Sequence, residues 1–130
     1  MEPLIEPSVE LDQALLEGAK TRTREENQVI VHCYLSVPYP PVGVRIWPVT
    51  SLVPQGGGVE AKLLHVEGIT KSPEWTYVRG EHHLFTLIFE GLPKDCLVFD
   101  LVEKISSPNR FHYEGIARNQ SDVYKLFITQ

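Results

Sequence analysis

The chain has 130 residues, 42% hydrophobic and 22% charged, with a formal net charge of −5. That length and balance describe one globular domain with its own core and exclude wholesale disorder. The acidic balance also argues against nucleic acid: the twelve basic residues are scattered, and phosphate binding needs a basic face.

Lys20, Arg22 and Arg24 are the one basic cluster, and Glu25 and Glu26 follow at once. Such a short run reads as a solvated linker. No apolar stretch approaches the roughly 18 residues needed to span a bilayer. The first ten residues hold Glu2, Glu6 and Glu10 and no basic residue, the reverse of a secretory leader. The expected location is cytoplasmic as the chain stands, and the cell envelope if a leader has been removed.

Residues 1–26 read as an N-terminal arm or short helix. Pro3 and Pro7 punctuate it, Leu11, Leu15 and Ala19 share one helical face, and Thr21 to Gln28 hold no apolar residue. The domain is expected over 27–130. There a period-2 pattern takes over, which is the mark of a half-buried strand. Val29, Val31, Cys33, Leu35 and Val37 form an apolar set, and Ile30, His32, Tyr34 and Ser36 point the other way. Pro38, Pro40 and Pro41 end this strand, because proline cannot donate to a ladder. Val42, Val44 and Ile46 begin a second strand, bent or made an edge by Pro48. The QGGG run from Gln55 to Gly58 is a turn.

Val59 to Val66 is a third strand and Glu74 to Val78 a short aromatic fourth. His83, Phe85, Leu87 and Phe89 alternate in the clearest strand of the chain. Gly91 to Asp95 turns into a strand in which Leu97, Phe99 and Leu101 share a face. Phe111 to Ala117 and Asp122 to Ile128 complete about eight strands with no helical pattern between them. Regular short strands with Gly, Pro and Asn turns mean an all-β sandwich or barrel, and an antiparallel sandwich is the expected form.

Cys33, Trp47 and Cys96 fall in the order of the immunoglobulin Cys…Trp…Cys signature. Register opposes a disulfide. Cys33 lies in the inward set, whereas Cys96 shares a face with Val98 and Asp100, opposite Leu97, Phe99 and Leu101. A one-residue offset sends a side chain to the other face, so two free thiols are expected.

Polar clusters offer little chemistry. His82 and His83, with Glu81 before them and His65 elsewhere, are adjacent on a strand and point apart, so they do not grip one metal. His32 and Cys33 diverge in the same way, which removes a thiol–imidazole dyad. Asp100 and Glu103 have opposite parity, and Asp95 belongs to a turn. Gly56-Gly57-Gly58 lacks the lysine and hydroxyl of a phosphate loop. No cofactor is expected. Trp47, Trp75 and Tyr77 have two readings. Buried, they are core; exposed, they form an aromatic surface able to stack sugars or a partner's side chains.

From Phe85 the chain reads FTLIFEGLPKDCLVFDLVE, and then YEGIA, with Gly68-Ile69 upstream. This string resembles a recurrent pattern of uncharacterised Bacteroidetes proteins, over roughly residues 27–118. The resemblance implies an immunoglobulin-like β-sandwich, frequent in secreted or envelope proteins, and no assigned activity. The expected function is a non-catalytic interaction module with a protein partner or with itself. The alternative is a small-ligand or carbohydrate-binding domain using Trp47, Trp75 and Tyr77. A hydrolase using His82 or His83 with Asp100 is the third reading.

Overall fold

A computed structural model describes residues 28–107 and 110–129; the arm expected over 1–26 lies outside them. The described residues form nine strands and no helix. They are β1 (Val29–Ser36), β2 (Val42–Val44), β3 (Thr50–Pro54), β4 (Ala61–Glu67), β5 (Thr76–Val78), β6 (His82–Phe89), β7 (Val98–Glu103), β8 (His112–Ala117) and β9 (Val123–Thr129). Seven make one curled sheet in the order β8-β7-β3-β4-β6-β1-β9, and β2 and β5 make a separate two-stranded ribbon. The fold is all-β, as expected, with a half-barrel curl. Every pairing between these named strands is antiparallel except β1 with β9, which run parallel.

The alternation in β1 and β6 fills the core. Val29, Val31, Cys33, Leu35 and Val37 are each at most 1% exposed, as are Phe85, Leu87 and Phe89. The register pairs Val29 with Phe89, Val31 with Leu87 and Cys33 with Phe85. Val44, Ile46 and Val78 extend the same core beneath the ribbon. No helix of the described residues is long and apolar enough to cross a membrane.

The sequence pattern missed β3. Thr50, Ser51 and Leu52 are all buried, so the strand shows no polar–apolar alternation. Its hydroxyls are satisfied within the strand's own neighbourhood: Thr50 Oγ1 donates to the Trp47 carbonyl at 2.7 Å and Ser51 Oγ to that of Val49 at 3.4 Å. Local bonding of this kind lets polar residues occupy a central strand without an unsatisfied donor.

The seventh strand corrects one expectation. Leu97 is 76% exposed and Cys96 only 5%, the reverse of the extrapolated alternation. The strand begins at Val98; before it the chain is still in a turn, with Cys96 N–H donating to the Pro93 carbonyl at 3.0 Å. Period 2 applies only once the backbone is extended. Phe99 and Leu101, inside the strand, are buried as expected. Both cysteines are free.

Candidate functional site: the outer face of the ribbon

Pairing of Val42 with Val78, Gly43 with Tyr77 and Val44 with Thr76 sets the two faces of the ribbon. Strand parity does the rest. Val44, Ile46 and Val78 go down into the core, so Gly43, Arg45, Trp47, Trp75 and Tyr77 are left on the outer side. Trp75 is 48% and Tyr77 65% exposed, while Trp47 is half-buried. The reading of these aromatics as plain core is therefore overturned for Trp75 and Tyr77, because the ribbon has no layer above it among the described residues.

These side chains form a continuous ridge. The Arg45 guanidinium lies 3.9 Å from the centre of the Trp75 ring and 5.3 Å from that of Trp47. A Cβ at Gly43 would stand 3.3 Å from Trp75 Cε3 and 3.4 Å from Tyr77 Cε1. Glycine here lets both rings settle on the backbone of β2. Arg45 Nη1 donates to the Pro73 carbonyl at 3.1 Å, which ties the β2 extension to the loop before β5. Ile46 N–H donates to the Thr70 carbonyl and Ser72 N–H to the Ile46 carbonyl, bracing that loop from the other side.

Beside the ridge lies a cleft of about 480 Å³, lined by Gly43, Val44, Arg45, Trp47, Trp75, Glu103, Ile105, Ser106, Ser107 and Phe111. Glu103 forms its buried wall at 3% exposure. Its Oε2 accepts the Trp47 N–H at 2.8 Å and its Oε1 the Phe111 N–H at 3.0 Å. The carboxylate thereby clamps the ridge strand to the segment entering β8. Burial raises the Glu103 pKa above the ordinary carboxyl value, opposed by the Phe111 and Trp47 amides and by the charge of Arg45.

Sequence reasoning named Trp47, Trp75 and Tyr77, missed Arg45, and weighed Glu103 only against Asp100, without placing it at the ridge. Parity carried both: Arg45 is two residues from Trp47, and Glu103 two from the inward Leu101. The other named groups stay apart. His82 is exposed, and His83 Nε2 sits 2.6 Å from the Gly68 carbonyl oxygen. His65 pairs with Glu67 at 3.6 Å. His32 Nδ1 meets Thr86 Oγ1 at 2.8 Å on the opposite face from Cys33, whose thiol burial pushes up to about 12. Asp95 is exposed, and Asp100 accepts the Gly115 N–H and the Gln55 amide, which lower its pKa. No group of three metal-binding side chains exists among the described residues.

The chain matches no protein-family model, no curated protein and no solved structure.

Proposed function

We propose that this protein is a non-catalytic binding module that engages a small molecule or carbohydrate through the ridge of Arg45, Trp47, Trp75 and Tyr77. One observation carries the reading: a run of aromatic rings lies on the surface, held by a stacked guanidinium, next to an open cleft. Exposed rings of this size are costly to leave in water and gain most from stacking against a flat, partly apolar ligand. Two groups support the non-catalytic reading: burial holds the Cys33 thiol far from ionisation, and Glu103 at the cleft has both oxygens on backbone amides. The string from Phe85 to Glu103 supports an immunoglobulin-like kinship for the fold.

The test is a glycan and small-metabolite panel read by tryptophan fluorescence. Trp75→Ala and Tyr77→Ala should each weaken a panel hit about tenfold, equivalent to about 1.4 kcal/mol, with little change in the urea midpoint. Retention of full affinity in both variants, or a panel without hits, rejects the ridge as the site.

A second reading, contact with a protein partner, has its own observation. Strand β9 ends the large sheet, and its Phe127 is 76% exposed, stacked 5.2 Å from Tyr34 of β1. An unpaired edge with an aromatic at its surface is a template for strand addition. Phe127→Lys should then abolish any concentration-dependent dimer seen by sedimentation; a dimer that persists excludes this edge.

A further inference from the structure

We infer that the ligand of the ridge is an acidic carbohydrate, a chain containing uronic-acid units, with Arg45 as the carboxylate contact; this rests on the ligand reading proposed above. Arg45 lies within the field of Glu103, yet it keeps hydrogen-bonding capacity that the described residues do not fill. A guanidinium carries five N–H donors in a planar fork. Arg45 uses Nη1 on the Pro73 carbonyl, and among the described residues no carboxylate forms an ion pair with it. The acid nearest in effect is Glu103, but its oxygens already accept the Trp47 and Phe111 amides. The fork is therefore not consumed by the protein's own acids.

Stacking explains why that charge is useful rather than idle. A guanidinium carbon 3.9 Å from the centre of the Trp75 ring is at the distance of face-to-face stacking, an arrangement that leaves the in-plane N–H groups at the edges. The rings hold the group still, so less freedom is lost when it grips a carboxylate through two parallel hydrogen bonds. The flanking rings define the rest of the ligand. Tyr77 and Trp75 offer exposed aromatic surface to the apolar face of a sugar ring, and Ser106 is an exposed hydroxyl on the cleft wall. The cleft of about 480 Å³ is in the size range of small-ligand sites. The net charge of −5 opposes indiscriminate adhesion to polyanions, so recognition of an acid has to come from a local, shaped contact.

The test compares three probes by calorimetry: a trigalacturonate, its carboxyl-reduced neutral counterpart, and a hexaglutamate peptide. The trigalacturonate should bind at least tenfold more tightly than the neutral sugar. Arg45→Gln should bring that ratio close to one, and Arg45→Lys, which keeps the charge but not the fork, should fall between. Equal binding of the acidic and neutral sugars overturns this inference and leaves the ligand reading standing. No binding of either sugar also overturns this inference, and the ligand reading then stands or falls on the glycan and small-metabolite panel. Hexaglutamate binding as tight as trigalacturonate, lost in Arg45→Gln, overturns the sugar class. If Arg45→Gln does not fold, the ratio in the unaltered protein decides.

Discussion

Glu103 is the residue on which the site's frame depends. It sits in the interior and holds two amides from segments that are far apart in sequence, Trp47 and Phe111. Glu103→Ala should cost about 2–3 kcal/mol in urea denaturation, because both donors lose their acceptor and unsatisfied buried donors cost on the order of 1–3 kcal/mol each. The effect should depend on pH with a definite sign. Burial raises the folded pKa above the unfolded one, so the native state binds the proton more readily. The stability from this group is fully present below the unfolded carboxyl pKa and is lost as pH rises through the folded pKa. The gap between the parent and Glu103→Ala should narrow as pH increases across that window. Asp100, with its pKa lowered, contributes in the opposite direction, but it is common to both proteins and cancels in the difference. A gap that widens with pH would contradict the raised pKa.

At the scale of elements, the close approach of β4 to β6 rests on Gly68. Its φ is +79°, and a Cβ there would lie 2.8 Å from the Leu84 carbonyl oxygen and 3.2 Å from Phe85 Cα. Gly115 on β8 has a similar φ of +73° with nothing within 4 Å. The two positions separate backbone strain from crowding. Gly115→Ala should cost about 1–2 kcal/mol, the usual penalty for a Cβ at left-handed φ. Gly68→Ala should cost more by about 1 kcal/mol or greater, since the backbone of a central strand has to move. Equal thermal-denaturation losses at the two sites would show that β6 yields without cost. The ribbon obeys the same logic in milder form: Gly43 carries Trp75 and Tyr77 at 3.3–3.4 Å from where a Cβ would stand, so a side chain there would lift the ridge.

For the whole molecule the decisive feature is that β8 and β9 stand at opposite ends of the sheet yet are joined by residues 118–122 alone. So short a link brings the sheet's two ends together at that point, and this is what curls the sheet. The link is locked by polar contacts. Arg118 reaches both carboxylate oxygens of Asp122 at 2.6 and 3.0 Å and donates to the Pro93 and Cys96 carbonyls. Tyr124 hydroxyl donates to Asp122 at 2.8 Å, and its ring meets Phe99 edge-on at 5.0 Å across the curl. Arg118 and Asp122 side chains are 17% and 13% exposed, so solvent screens them weakly. Arg118→Ala should destabilise by about 2–3 kcal/mol. A double-mutant cycle with Asp122→Ala should return a coupling on the order of 1–3 kcal/mol. Independent, additive effects would mean that the pair does not hold the link.

The sequence alone determined the strands whose two faces meet different environments. In β1 and β6 one side is core and the other is surface, so composition alternates and both the strands and their inward residues can be read directly. Parity likewise kept His32 from Cys33 and His82 from His83, and it placed Trp75 and Tyr77 on one face. It could not find β3, buried on both sides with its hydroxyls satisfied locally, nor place Leu97 and Cys96, which lie in a turn where alternation has no meaning. The tertiary structure decided which faces were left uncovered. Trp75 is core or surface according to whether another layer lies over the ribbon, and no local pattern encodes that. The same holds for Arg45 and Glu103: their parity was written in the chain, but the stacking of one and the clamping by the other arise only when β2, β5, β7 and the start of β8 converge.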